Sequence, residues 1–337
     1  MTVPGLASER LDWPAMDRRR FLVTSLAGAL AAPVGAEAQG TGKIPRIGYL
    51  SPLSHSADAA QWKAFREGLR TLGYIEGQNV LIEVRYADGG LERLRALAAE
   101  LVRLNVDVIV ASPTPAVRAA HQATRTIPIV MISGDPVGEG FVVGLARPEG
   151  NITGHSTAVA EIATKRLEFL KAIVPRLARV AHLTTREVAR SVVTQTEAAG
   201  RALGVQIITT AVQTASEMDR AFWAMPGAHI AGVIVSLSLR PYWREVLDRA
   251  RQSQLPTVSG PREFVEAGGL LAYGPHYPEL FQHAATYVDR ILKGARPADL
   301  PIEQATKFEL VINLKTAKAL GLTIPPSLLT RADQIIE

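Results

Sequence analysis

Hydroxyl side chains recur in this 337-residue chain where apolar runs stop, in company with proline, glycine or a second hydroxyl. The instances are Ser51-Pro52, Ser112-Pro113-Thr114-Pro115, Ser133-Gly134-Asp135-Pro136, Thr184-Thr185, Ser236-Leu237-Ser238 and Ser259-Gly260-Pro261. A Ser or Thr at a helix start accepts a bond from a first-turn N–H, and Pro fits beside it because its missing N–H has no intrahelical partner anyway. The N–H groups left over, together with the helix dipole, favour a carboxylate or another anion. Capping alone explains any single instance. Several of them converging from two sides would line a cleft for a polar ligand.

Patterns for catalysis are sparse. Gly154-His155-Ser156-Thr157-Ala158 is one residue short of a G-x-S-x-G nucleophile elbow. It would need an acid and a histidine downstream, and His276 and His283 fall on or near a predicted helix. A serine hydrolase using Ser156 is therefore the lesser alternative to a simple Gly-Ser-Thr turn. Gly138-Glu139-Gly140 with Gly144 resembles a dinucleotide loop, but the third glycine comes one position late and no helix clearly follows. The chain has no cysteine, and its seven histidines lack metal-ligand spacing. No cofactor and no metal are expected, and the protein is read as a binder, not an enzyme.

The elements that must position those hydroxyls follow α/β grammar. Two Val- and Ile-rich runs, at 108–111 and 127–132, bracket a stretch without internal Gly or Pro, giving strand, loop, helix, strand, loop. In parallel sheets of this kind ligands sit at the carboxyl ends of strands. Other strands are predicted at 46–50, 80–86, 151–154, 179–183, 206–212, 232–236, 256–259, 268–274, 302–305 and 308–312. Helices are predicted at 59–72, 91–104, 159–173, 187–203, 217–223, 243–253, 277–292 and 315–320.

The first half of the chain is echoed in the second. RIGYL matches RVAHL, LRTLGY matches GRALGV, DVIVAS matches AGVIVS and TIPIVMISG matches QLPTVSG, at offsets of about 125–133 residues. The fold class is α/β: two Rossmann-like, doubly wound parallel-sheet lobes with a ligand cleft between them. Ser236–Ser238 and residues 259–262 would then face the Ser112-Thr114 turn. The expected division is 44–154 plus about 271–300 for lobe 1, and 155–270 plus about 301–337 for lobe 2.

Composition is that of a globular chain, 47% apolar and 20% charged, with a net charge of +5 that is dispersed rather than clustered. No nucleic-acid partner is expected. Asp17-Arg18-Arg19-Arg20-Phe21-Leu22 opens an Ala-rich run ending in Ala36-Glu37-Ala38. Residues 1–38 read as a twin-arginine (Tat-type) signal peptide, too short in its apolar part for a membrane span. An uncleaved anchor is the other reading, and Met16 is a second candidate start. With no cysteine to carry a lipid, the mature protein is expected to be periplasmic and unanchored.

Five stretches resemble the periplasmic substrate-binding proteins of ABC transporters. They are residues 64–89 (AFREGLRTLGYIEGQNVLIEVRYADG), 97–112, 127–154 (IPIVMISGDPVGEGFVVGLARPEGNITG), 262–275 and 306–333. The resemblance covers essentially the whole mature chain. It implies a type I periplasmic-binding-protein fold with about three crossings between lobes that close over a ligand. It also implies a small polar organic ligand, an amino acid being the candidate class because some relatives take aromatic ones, notably tryptophan. The partners implied are an inner-membrane permease and the Tat machinery, and the receptor is expected to be a monomer. Carried over position by position, Ser51, Ser112, Thr114 and Asp135 stand at first-lobe strand ends, with Ser238 facing them. Thr157, Glu263 and Tyr273 stand near the crossings or on the second lobe. Asp135 or Glu263 would meet the ligand ammonium, although Asp135 before Pro136 equally suits a hinge turn. Thr184-Thr185-Arg186 departs from the Asn-Pro-rich turn common in relatives, which touches ligand identity. A sensor module on the same fold is the main alternative function. A transcriptional regulator would need a helix-turn-helix where the signal peptide stands.

Overall fold

Val108–Ala111 and Ile129–Ser133 are buried at every residue, as apolar runs without polar alternation must be. In the computed structural model, which describes residues 43–186, 188 and 190–337, they are central strands of a parallel sheet. The signal segment lies outside the described residues. The first sheet comprises β1 (Arg46–Ser51), β2 (Leu81–Tyr86), β3 (Val108–Ala111), β4 (Ile129–Ser133), β5 (Ile152–Ser156) and β11 (Glu303–Gln304), in the order β11-β5-β4-β3-β1-β2. The second comprises β6 (Arg179–Thr184), β7 (Gln206–Ala211), β8 (Val233–Val235), β9 (Thr257–Ser259), β10 (Leu271–Pro275), β12 (Phe308–Asn313) and β13 (Gln334–Ile336), in the order β13-β12-β10-β9-β8-β6-β7. Among the described residues only β10 and β12 pair antiparallel.

The order β2-β1-β3-β4-β5 in one sheet is repeated as β7-β6-β8-β9-β10 in the other, which gives the internal repeat its structural meaning. Each sheet is covered on both faces by apolar clusters. In the first lobe α1 (Ala59–Thr71) lies on one face, and α2 (Leu94–Arg103) and α3 (Thr114–Ala123) on the other. In the second, α4 (Val159–Ile173) and α5 (Arg190–Leu203) cover one face, α6 (Ala215–Ala224) and α7 (Trp243–Gln252) the other.

The chain changes sheet between Ser156 and Val159, between Pro275 and Tyr277, and between Gln304 and Phe308. These points correct the expected boundaries. Residues 271–275 belong to the second sheet because β10 pairs with β9 and β12. Residues 303–304 belong to the first because Glu303 pairs with His155. Between them, after Pro275, α9 (Tyr277–Leu292) returns to lobe 1, where Phe281, Ala285 and Val288 join Phe65 and Leu69 of α1 in one core. Gly68 of α1 permits that approach, since a Cβ there would stand 2.6 Å from the Gln282 carbonyl oxygen. Among the described α-helices and strands, three short ones have no counterpart among the predicted ones: α8 (Arg262–Glu266), α11 (Pro326–Leu329) and β13. The short α10 (Leu314–Ala319) stands where a helix was predicted.

Candidate ligand-binding cleft

The carboxyl ends of β3 and β8 face each other across a cavity. Ser112, Pro113 and Pro115 come from one side, Leu237 and Ser238 from the other, and Tyr277 from the second crossing. These six residues join an outer chamber of about 450 Å³ to an inner one of about 100 Å³. The outer volume lies within the roughly 300–1,000 Å³ usual for small-molecule sites.

Of the residues expected at the site, Ser112 and Ser238 line both chambers, and Thr114 and Thr157 line the inner one. Thr114 opens α3 without a side-chain cap at its start, and its Oγ1 lies 2.8 Å from the Ser133 Oγ. The Ser238 Oγ accepts the Thr185 N–H at 3.3 Å. Thr185, from the departing Thr-Thr-Arg turn, lines the outer chamber, and its buried hydroxyl oxygen has no partner among the described residues.

The other expected residues do not line the cavity, because local partners occupy their side chains. The Ser51 Oγ accepts the Leu53 N–H at 3.2 Å and bonds to Asp58. The Asp135 Oδ1 accepts the Gly138 N–H at 2.8 Å and so closes the turn after β4. Glu263 pairs with Arg240 at 3.4 Å. The Tyr273 ring packs between Phe169 and Phe308, with centroids 5.1 and 5.8 Å away. Ser259 is fully buried and donates to the Val235 carbonyl at 2.7 Å, so the facing half of the cleft comes from residues 236–238 and not from 259–262.

Ser156 is likewise committed. It is buried, donates to the Gly134 carbonyl at 3.0 Å and accepts the Ala158 N–H at 3.4 Å. Neither His276, which caps α9 by accepting the Glu279 N–H, nor His283 is bonded to it. Among the described residues no group of three or more His, Asp or Glu is placed to hold a metal ion.

Charged residues not singled out from the sequence carry most of the electrostatics. Arg166 of α4 lines the inner chamber and donates from Nε to the Tyr273 carbonyl at 2.8 Å. Burial lowers its guanidinium to about 10, so it remains cationic at neutral pH. No carboxylate lies within salt-bridge distance of it among the described residues. His182, on β6, shares the chamber; its Nε2 lies 2.7 Å from the Ser236 Oγ and its Nδ1 has no partner among the described residues. Burial, then the Arg166 charge, lowers its imidazole to about 4, which keeps it neutral.

The outer chamber is mostly acidic: Asp58, Asp88 and Glu92 line it together with Arg240, which is paired with Glu263. Asp58, just before α1, is 2% exposed and accepts the Tyr49 hydroxyl at 2.7 Å. Burial pushes its carboxyl up to about 6 against the hydrogen bonds of Tyr49 and Ser51 and the charge of Arg240. Beside it Gln61 is buried, and its Oε1 has no partner among the described residues. Pro52, Leu53, Pro241, Tyr242 and Phe281 supply apolar and aromatic wall.

A signal for Arg166 does exist in the sequence. It falls on the same stripe of α4 as Ile162, Ala163, Leu167 and Leu170, all buried, where a lone arginine at helical spacing marks a charge facing inward. His182 similarly interrupts a buried strand, RVAHLT.

Comparison with known proteins gives matches over nearly the whole described chain. The family described as ABC transporter substrate binding protein matches residues 46–336. A tyrosine-binding protein from Clostridioides difficile (strain R20291) is 27% identical over 288 residues, 83% of this chain and 82% of the relative. The crystal structure of an ABC domain in complex with L-Trp from Streptococcus pneumonia is 28% identical with a TM-score of 0.81, covering 87% of this chain and 100% of that one. A conserved domain protein from Vibrio cholerae O1 biovar eltor is 26% identical with a TM-score of 0.80, covering the same shares. Among the described residues no helix is long and apolar enough to cross a membrane.

Proposed function

The chain belongs to the ABC transporter substrate-binding protein family and has the type I periplasmic-binding-protein fold, and from that premise we propose that it is an exported receptor for an aromatic amino acid. Residues 1–38 direct it through the Tat machinery to the periplasm. There it works as an unanchored monomer, handing its ligand to an inner-membrane permease without chemistry.

One observation carries the ligand reading. Two charges of opposite sign, neither ion-paired among the described residues, stand on the walls of one cavity: Arg166 in the inner chamber and Asp58 in the outer. A zwitterion answers both. Its carboxylate meets Arg166 with the hydroxyls of Thr114, Thr157 and Ser236, and its ammonium meets Asp58 and the Gln61 Oε1. The ring lies in the outer chamber against Leu53, Tyr242 and Phe281. The names of the tyrosine-binding relative and the L-Trp complex support the same class.

A thermal-shift panel of L-tryptophan, L-tyrosine, L-phenylalanine, L-leucine, ribose and myo-inositol tests it. A ligand bound only by the native state adds about 2.7 kcal/mol at a hundredfold excess over Kd. The aromatic amino acids should raise the melting temperature. A shift with a sugar alone would contradict the assignment.

A further inference from the structure

The turn after β4 holds a residue that neither lines the cleft nor belongs to a core. Asp135 binds the Gly138 N–H, Glu139 N–H donates to the Asp135 carbonyl at 3.0 Å, and Phe141 N–H to the Pro136 carbonyl at 2.9 Å. Gly138 leaves room for the Asp135 carboxylate, from which a Cβ would stand 2.3 Å, and Gly140 takes φ +70°. The glycine spacing that resembled a dinucleotide loop therefore builds a tight turn, and the turn presents Glu139.

Glu139 reaches across the cleft. Its side chain is 4% exposed and pairs with Arg118 of α3, in its own lobe. Its Oε1 accepts from the Ser191 Oγ at 2.8 Å and the Ser191 N–H at 3.2 Å. Ser191 is the second residue of α5, in the other lobe. A first-lobe carboxylate thus caps the positive end of a second-lobe helix, where a negative charge is favoured. Val192 and Thr196 of that helix wall the inner chamber.

We propose that Glu139 is a positioning residue for ligand capture. Without touching the ligand it holds α5, and with it Val192 and Thr196, over the inner chamber, and so slows release. The inference rests on the cleft being the ligand site. Removing the carboxylate takes from Ser191 both of its bonds across the lobes, and loss of such an interface contact acts mainly on dissociation.

Lys63 and Arg251 expose 77% and 72% of their side chains, and the chain has no native cysteine. Lys63→Cys with Arg251→Cys therefore gives one clean dye pair, one dye on each lobe. Distances are measured by energy transfer in the ligand-free protein, alone and with Glu139→Gln, Ser191→Ala or both. Release of L-tryptophan is followed by stopped flow. The proposal expects a longer interlobe distance in each variant and dissociation about tenfold faster, with association within about threefold. The double variant should add little to Glu139→Gln alone, because both act on one interaction. If the folded variants melt earlier while distance and dissociation stay as in the parent, Glu139 is only structural and the proposal is wrong. If the distance changes but the parent ignores L-tryptophan, the latch stands and the ligand assignment falls.

Discussion

Arg166 donates through Nε to the Tyr273 carbonyl at 2.8 Å, which ties the helix after the first crossing to the strand before the second. One guanidinium nitrogen is spent on this bond and the rest of the group is left to the inner chamber. The same contact gives Tyr273 a part in the site although its ring packs elsewhere: its backbone oxygen aims the arginine.

Arg166→Met keeps the length of the side chain and removes the charge. Tryptophan affinity should fall by about 10- to 150-fold, the worth of a charge-assisted hydrogen bond of roughly 1.5–3 kcal/mol. Tryptamine, which lacks the carboxylate, should bind parent and variant alike. Calorimetric titration with both ligands checks this.

Asp58 is predicted to set a pH limit. Its folded-state value of about 6 lies above the 3.8 of an unperturbed carboxyl, so affinity for tryptophan should decline as pH falls through 6 and the carboxylate is lost. Stability runs the other way. Between pH 3.8 and 6 the folded state binds the extra proton, so stability from this group falls as pH rises through that window. Asp58→Asn should stabilise at pH 7 by up to about 2–3 kcal/mol, with no gain at pH 3.5, while weakening tryptophan by at least about tenfold. Denaturant titrations at the two pH values and a titration with ligand decide it.

Gly154 takes φ +126° in β5, and a Cβ there would stand 2.2 Å from the Met131 carbonyl oxygen. Gly154→Ala forces backbone against backbone beside the first crossing. A loss of more than about 3 kcal/mol in urea unfolding is expected, or failure to fold.

Ser156→Ala removes the bond donated to the Gly134 carbonyl and the longer one accepted from the Ala158 N–H. Stability should drop by about 1 kcal/mol. Tryptophan affinity should stay within about threefold, since the residue does not line either chamber.

Fold was far more legible in the sequence than site. α4 and α9 stand at the expected bounds because each repeats an apolar stripe over several turns, whereas α8, α11 and β13 are too short to show a period. Ser112, Thr114 and Ser238 were visible because loops after parallel strands converge on the cleft. Ser51 and Ser259 carry the same local pattern yet turn inward, and only the three-dimensional partners, Leu53 and Val235, reveal it. Asp58 and Arg166 are single charges in otherwise ordinary helical surroundings, and their meaning depends on lobes joined by the crossings.

The most direct test of an aromatic amino-acid receptor is a calorimetric titration of the purified, ligand-free protein with L-tryptophan. Saturable binding of one ligand per chain is expected, competed by L-tyrosine and weakened on acidification below pH 6. A folded, ligand-free protein that gives no binding heat and no thermal shift with any aromatic amino acid would contradict the receptor assignment.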